Sequence, residues 1–350
     1  MTGDGFRAPP LEVRAIDDAQ WLGFIEAHPA ATPFHHPAWS RVLAQTYGYR
    51  PFVLAQTDGG SGIRAAVPLL DLGARGPIAS LPFTDYCPPL ATGDEDLSHF
   101  RRSLVGWRDG TGRAVAVVHE PVAPAPGIAH RARGVRHILS LEGSSEQAFR
   151  RLGGNVRSAI RQAQREGLQV RVGESVDDLA AFYRLHVDTR RRLGVPVQPR
   201  RFMQHLFREM VANGLGFVIF ACQRDRPIAA ALFLAWNRQL IYKFAASDHR
   251  YWALRPNNLV LWAGIEWGYG RGYRALDLGR TDAQDQGLRY FKSRWGATET
   301  PLTYSYLTGA PGPAPKLAMR AMAKLIQWSP AIVCRTLGEL LYRRAALSAA

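Results

Sequence analysis

The stretch Gln286-Gly287-Leu288-Arg289-Tyr290-Phe291-Lys292-Ser293-Arg294-Trp295-Gly296 holds one of only four lysines in 350 residues; the others are Lys243, Lys316 and Lys324. An ammonium set among aromatic side chains is a poorly screened positive charge. It suits an oxyanion that develops when a carbonyl is attacked. A helix lysine lying over aromatic rings has the same spacing, and spacing by itself favours that plainer use. Asp85 and Tyr86 lie on the proline-flanked run Ser80–Ala91. An aspartate there could position or deprotonate an acceptor amine, or close an Asx-type loop hydrogen bond. Arg157, Arg161 and Arg165 recur at i, i+4 and i+8, one helical face suited to phosphate or simply to solvent. Arg190, Arg191 and Arg192 form a second basic cluster with the same two uses. Asp277 and Arg280 close a strand just ahead of the lysine segment, where α/β folds present ligand-binding groups; they are also able to pair with each other.

Other chemistries find no pattern. Cys87, Cys222 and Cys334 are odd in number and far apart, which fits neither a zinc site nor a disulfide framework; Cys87 reads as a small buried filler. The ten histidines have no metal spacing, and His35-His36 reads as a loop or helix start. No G-x-S-x-G appears. The Gln/Arg-x-x-Gly-x-Gly/Ala turn that grips a coenzyme pyrophosphate has no good counterpart, which favours an aminoacyl-tRNA or another donor.

The elements that must carry these residues follow from periodicity. Helical spacing marks 17–28, 36–47, 94–107, 177–194, 199–214, 257–272 and 288–296, with a long basic helical region from Ser144 to Gly167 interrupted at Gly153-Gly154. Ser144 and Gln147 form a capping-box pattern; Gly194 and Gly214 stand where helix ends take a left-handed residue. Strands are expected at 51–56 and 63–72 around the turn TDGGSG, then at 114–120, 135–142, 217–223, 228–236, 240–247, 275–280 and 302–307. APGPAPK at 310–316 is a linker, and two helical runs broken at Pro330 follow it. They mix apolar residues with six basic residues and one acid, Glu339. That composition suits either packing on the body or an anionic membrane surface.

With 44 basic against 29 acidic residues the formal net charge is +15, which attracts polyanions, although the arginine excess also fits a genome-wide bias. A hydrophobic fraction of 47% excludes wholesale disorder. There is no apolar run of about 20 residues and no signal-like N-terminus, so a cytoplasmic chain is expected.

QGLRYFKSRWG resembles the Leu-x-x-Phe-Lys-x-x-Phe-Gly signature of the FemABX aminoacyltransferases, with Trp295 in the second aromatic position. Residues 33–52, 80–91, 155–172 and 255–281 resemble other segments of that family, including its Asp-Tyr loop and its Asp-x-Gly strand, so the resemblance covers about 30–307. It implies an α/β (α+β) chain of tandem GNAT-like subdomains with mixed sheets: 1–145, 146–309, and a helical extension at 310–350. The implied activity is transfer of an acyl or aminoacyl group to an amine of a cell-envelope precursor, without metal or tightly bound cofactor. Lys292 would stabilise the oxyanion and Asp85 would handle the amine proton. Substrate binding would fall to Tyr86, Arg157, Arg161, Tyr242, Lys243, Asp277, Arg280, Tyr290 and Phe291. The donor would be aminoacyl-tRNA or an acyl-CoA or acyl carrier protein. The acceptor would be a nucleotide- or lipid-linked precursor, reached in the cytoplasm or at the inner membrane face. The chain lacks the long helical-hairpin arm of the family's glycyl-adding members and the Gly-Pro-x-x-Asp-Tyr form of the loop expected of a close peptidoglycan enzyme. Two alternatives stay open: an acyl-CoA or acyl-carrier N-acyltransferase of exopolysaccharide or lipid assembly, and a non-catalytic membrane-associated assembly factor.

Overall fold

The computed structural model describes residues 11–349 except 61, 74–75, 114–117, 123, 174 and 310–315. The strand expected at 114–120 and the linker at 310–316 therefore fall largely outside the described residues. The chain divides into two compact units: Met1–Arg133 with Leu302–Gly312 and Ala346–Ala350, and Gly134–Pro301 with Pro313–Ala345.

The first unit runs β1 (Leu11–Ala15), α1 (Ala19–Ala27), α2 (Pro37–Tyr47), β2 (Arg50–Thr57), β3 (Ile63–Asp71), β4 (Ile78–Ser80), β5 (Leu90–Ala91) and α3 (Asp94–Thr111). Its sheet has the order β1-β2-β3-β4, with β5 also on β3, and every one of these pairs is antiparallel. Asp18 opens α1 by accepting hydrogen bonds from the Gln20 and Trp21 amides. His36 caps α2 through Ala38 N, so the histidine pair is a helix start. Leu54, Val67, Leu69, Phe100 and Leu104 form the core between sheet and α3. Segments as short as β4 and β5 carry no readable period, which is why they escape a sequence reading.

The second unit takes up β6 (Ala129–Ser140), a strand that begins in the first. It continues with α4 (Ser145–Arg151), α5 (Gly154–Arg165), β7 (Gln169–Gly173), α6 (Val176–Arg192), α7 (Arg200–Glu209), β8 (Gly216–Gln223), β9 (Arg226–Trp236) and β10 (Gln239–Ser247). Then come α8 (Pro256–Gly270), β11 (Ala275–Thr281), α9 (Gln286–Ser293), β12 (Thr298–Tyr306), which passes into the first unit at Leu302, α10 (Lys316–Trp328) and α11 (Ala331–Ala349), whose last residues from Ala346 also fall in the first. The sheet order is β12-β6-β11-β10-β9-β8-β7. The capping box at Ser144 is formed, and the basic helical region breaks into α4 and α5 at Gly153. Gly194 and Gly214 have φ of 69° and 71°, the left-handed values expected of them.

The β10–β11 pairing in this sheet is parallel. With α8 as crossover, β10 meets β11 at Gln239↔Ala275, Leu240↔Leu276 and Ile241↔Asp277, and the ladder ends there. Beyond it β10 shifts register against β9 between Tyr242 and Phe244, and β11 shifts against β6 between Asp277 and Arg280. Both bulges fall where the two strands stop pairing. The crossover helix α8 packs closely on β9: a Cβ at Gly264 would lie 2.1 Å from the Phe233 ring.

The C-terminal helices pack on this second unit. Ile326, Cys334 and Tyr342 are buried, and a Cβ at Gly338 would lie 1.9 Å from Val197 O. Arg190 Nη2 donates to Tyr342 Oη and Arg191 Nη1 to Ser329 O, while Arg192 lies 4.4 Å above the Trp252 ring. The triple-arginine cluster is thus engaged within the protein, two of its members on these helices.

Candidate functional site

Asp277 begins the local architecture. It is buried, its Oδ2 accepts from Arg136 Nε at 2.7 Å and its Oδ1 from the Gly279 amide at 2.7 Å. Its partner is Arg136 on β6, whereas Arg280 pairs with Asp282 at 3.2 Å; the Asp277–Arg280 pairing open to the sequence is not formed. Gly279 has φ 76°, which an L-residue with a side chain rarely adopts. The bulge it makes turns backbone carbonyls toward α9, whose start is fixed by Asp285 accepting from Leu288 N.

Lys292 points from α9 onto that bulge. It is 5% exposed, and its Nζ donates to Gly279 O at 2.8 Å, Thr281 Oγ1 at 2.8 Å and Arg280 O at 3.4 Å. The Asp-x-Gly and Phe-Lys motifs therefore make one unit, in which an ammonium ties α9 to the end of β11 that has left the parallel ladder. Nearby, Thr281 Oγ1 sits 3.5 Å from His137 Nδ1, and His137 Nε2 is 3.1 Å from Glu299 Oε1. Arg289 holds the same carboxylate through two bonds of 2.9 and 2.7 Å. That guanidinium holds the Glu299 carboxyl down at about 2, while burial and then Lys292 lower the pKa of His137.

The other face of α9 is open. Tyr290, which is 62% exposed, Phe291 and Arg294 line a cavity of about 490 Å³ together with Asn155, Ser158 and Gln162 of α5 and with Arg255 and Asn258 at the start of α8. Both helices begin beside it without a side-chain cap, their first residues being Gly154 and Pro256. Two helix N-termini and two guanidiniums give this cavity a positive potential, and two aromatic rings give it a face for stacking. Arg294 Nε lies 3.2 Å from Asn155 Oδ1, across Gly153, where a Cβ would come within 2.5 Å of the guanidinium. Gly153 is thus what leaves room for the Arg294 guanidinium beside the cavity.

The remaining sequence candidates are dispersed. Arg157 turns back to the Arg150 and Leu152 carbonyls at 2.7 and 2.6 Å. Arg161 lies 5.5 Å over the Phe149 ring and lines a separate cavity of about 450 Å³ with Glu146, Trp262 and Glu266. Tyr242 packs 5.3 Å from Phe233 against the core, where burial pushes its hydroxyl pKa up; Lys243 lies 5.5 Å over the Phe244 ring. In the first unit Asp85 and Tyr86 are half-buried on their loop, and Asp85 O accepts from Tyr304 Oη. Cys87 beside them is buried with its thiol pKa raised by desolvation, the filler expected. Sequence reasoning missed Asn155, Gln162, Arg255, Asn258 and Arg294, since only the meeting of three helices makes them a group. Among the described residues no cluster of His, Cys, Asp and Glu could hold a metal, and no helix is long and apolar enough to cross a membrane.

Comparison with known proteins places this geometry. Residues 148–293 match the family described as acetyltransferase (GNAT) domain. No curated protein matches the sequence. Among solved structures the chain resembles FemX at a TM-score of 0.64 and 13% identity, covering 84% of this chain and 97% of that one. A C-terminal domain described as that of a lysylphosphatidylglycerol synthetase from Agrobacterium fabrum gives 0.53 and 12%, covering 91% and 95%. A tandem GNAT protein from the clavulanic acid biosynthesis pathway gives 0.50 and 12%, covering 87% and 100%. The match of residues 148–293 to an acetyltransferase (GNAT) domain supports an acyltransferase, and the chain shares the fold of FemX and of the tandem GNAT protein.

Proposed function

We propose that the protein transfers an acyl or aminoacyl group from an adenosine-bearing carrier to an amine of a cell-envelope precursor, with the second unit holding the donor. The observation that carries this reading is the α5–α8–α9 cavity: Arg255, Arg294 and two uncapped helix N-termini complement phosphate, and Tyr290 and Phe291 offer rings to a base. Aminoacyl-tRNA and acyl-CoA share that adenosine and phosphate chemistry at the carrier end, so the cavity supports both.

This reading sends the acyl arm toward the place where β10 and β11 part. Past Ile241 and Asp277 the strands β10 and β11 no longer pair, which parts the sheet at that point. The acceptor amine attacks the ester or thioester carbonyl, the C–N bond forms, and the carrier leaves as its alcohol or thiol with a proton that the amine gives up. Lys292 is the electrostatic element in this reading. Its two bonds of 2.8 Å hold the ammonium in place, and the 3.4 Å contact to Arg280 O is the N–H that can turn to a developing oxyanion. The envelope acceptor rests on likeness of fold to FemX and to the protein described as a lysylphosphatidylglycerol synthetase.

Titrating the protein with charged tRNA and with CoA thioesters tests the reading. One of the two should bind, and Arg255→Gln with Arg294→Gln should weaken it about 10- to 100-fold, the loss of two charge-assisted phosphate contacts. Donor binding that ignores both substitutions would defeat the assignment of this cavity. Binding of the CoA thioester alone would favour the acyl-CoA alternative.

A further inference from the structure

The helices α10 and α11 have two unlike faces. One is spent on the second unit, through Ile326, Cys334, Gly338 and Tyr342. The other carries Leu325, Trp328 and Ile332 around the Ser329-Pro330 turn, with exposures of 56%, 88% and 62%. An indole left almost wholly in water at a helix end has no role in folding this unit. The knuckle is nonetheless held firmly, because Arg191 Nη1 donates to Ser329 O at 3.3 Å and Gln327 Nε2 to Arg192 O at 3.2 Å. A fixed, exposed apolar tip is a docking surface.

Charge selects what it docks on. Arg320, Lys324 and Arg335 are exposed on the same two helices, and residues 316–350 hold six basic residues against one acid. That acid, Glu339, is already engaged by the Arg200 amide at 3.2 Å and lies 3.7 Å from Arg201 Nε. A second copy of this chain would bring the same positive charges to the contact and be repelled. A nucleic acid would meet the cations but offer nothing to Leu325 and Ile332. A bilayer with anionic headgroups satisfies both, taking the aliphatic and indole side chains at the acyl boundary and the cations at the phosphates.

We infer that the α10–α11 knuckle, with Leu325, Trp328 and Ile332 at its tip and Arg320, Lys324 and Arg335 around it, docks the protein reversibly on an anionic phospholipid surface. Neither an apolar tip nor a basic collar of this size holds a protein on a membrane alone, and together they make the two signals that do. The inference does not depend on the transfer chemistry.

Co-sedimentation of the full chain with vesicles tests it, using phosphatidylcholine alone and phosphatidylcholine mixed with phosphatidylglycerol. The chain should partition onto the mixed vesicles, less so as salt is raised. Leu325→Ser with Trp328→Ser should lower the partition coefficient about tenfold or more. Arg320→Glu with Lys324→Glu should lower it similarly on mixed vesicles and not on phosphatidylcholine. All four positions are exposed, so the melting temperature should stay put, which separates lost docking from lost folding. No partition by the wild-type chain would overturn the inference, as would partition indifferent to the tip substitutions. Sedimentation showing a dimer that Trp328→Ser breaks apart would overturn it too, by making the knuckle a self-contact.

Discussion

The two units solve the sheet problem differently. In the first, every pairing among the described strands of the five-stranded sheet is antiparallel, and its connections are turns and short helices. In the second, the α8 crossover puts β11 parallel to β10, and that one parallel contact lasts only three residue pairs before both strands bulge away. The matched GNAT domain, 148–293, falls within the second unit. In the proposed reading the means of gripping a donor belongs to that unit alone.

The hardest blow to that contrast is Lys292→Met. Removing the ammonium leaves the Gly279 and Arg280 carbonyls and the Thr281 hydroxyl without their donor at the place where β11 leaves the ladder. Transfer should fall about 100- to 1,000-fold in kcat, as for loss of an oxyanion donor, with a stability loss of about 1–3 kcal/mol. Steady-state rates alongside thermal melts check both. A variant that melts lower but keeps its kcat would leave Lys292 a strut between α9 and β11 and remove it from the chemistry.

Next in size is Gly264→Ala. The added methyl meets a Phe233 ring stacked 5.0 Å from Phe217 and 5.3 Å from Tyr242, so relief has to pass through packed neighbours. About 1–3 kcal/mol should be lost in chemical denaturation, with weaker donor binding because Tyr242 sits at the bulge where the strands part. Gly23 is the matching helix glycine in the first unit, and a methyl there would meet nothing within 4 Å. Gly23→Ala should be neutral or slightly stabilising and leave donor binding unchanged.

How far the residues alone led is clear from α9. The Phe-Lys segment, its helix, and its link to the Asp-x-Gly strand are local and motif-bearing, so they read directly. So do the meander β8–β10, with its compact apolar runs and short polar turns, and the Ser144 capping box. Arg255 and Arg294 stand 39 residues apart in the chain and become partners only when α8 and α9 fold against α5. No periodicity encodes that. The same limit explains Arg157: its spacing with Arg161 and Arg165 announces a shared face, but helix geometry says nothing of the Arg150 and Leu152 carbonyls seven and five residues back, across the break between α4 and α5. Asp277 kept its importance while changing its partner, because Arg136 comes from β6, more than 130 residues earlier by sequence position.

The smallest effect tests whether the units also differ in how they fail in acid. Each buries a neutral histidine. In the first, His119 lies 4.3 Å from the Tyr304 ring and its Nδ1 accepts from Cys87 N; burial carries its pKa down to about 3, with Asp85 opposing and Arg133 and His35 assisting. In the second, His186 lies between Phe182 and Phe244, with Nε2 2.7 Å from Gln198 Oε1; burial again brings it to about 3, against that bond and with help from Arg190. Between about 3 and 6.5 the unfolded chain binds protons that the native imidazoles refuse. Stability therefore rises with pH across that window and is flat, for these groups, above it. Each histidine contributes a slope of at most about 1.4 kcal/mol per pH unit. The lowered carboxyls of Glu299 and Asp71 add their loss further down, as pH falls below about 4.5 toward their own folded values. Denaturation midpoints measured from pH 7.5 to pH 5 should thus fall steadily below 6.5. His186→Gln should flatten the slope by one histidine's share, whatever it does to the midpoint at pH 7.5. If the wild-type slope survives in His186→Gln but flattens in His119→Gln, acid opens the first unit before the second, and the parallel-paired unit is the sturdier half.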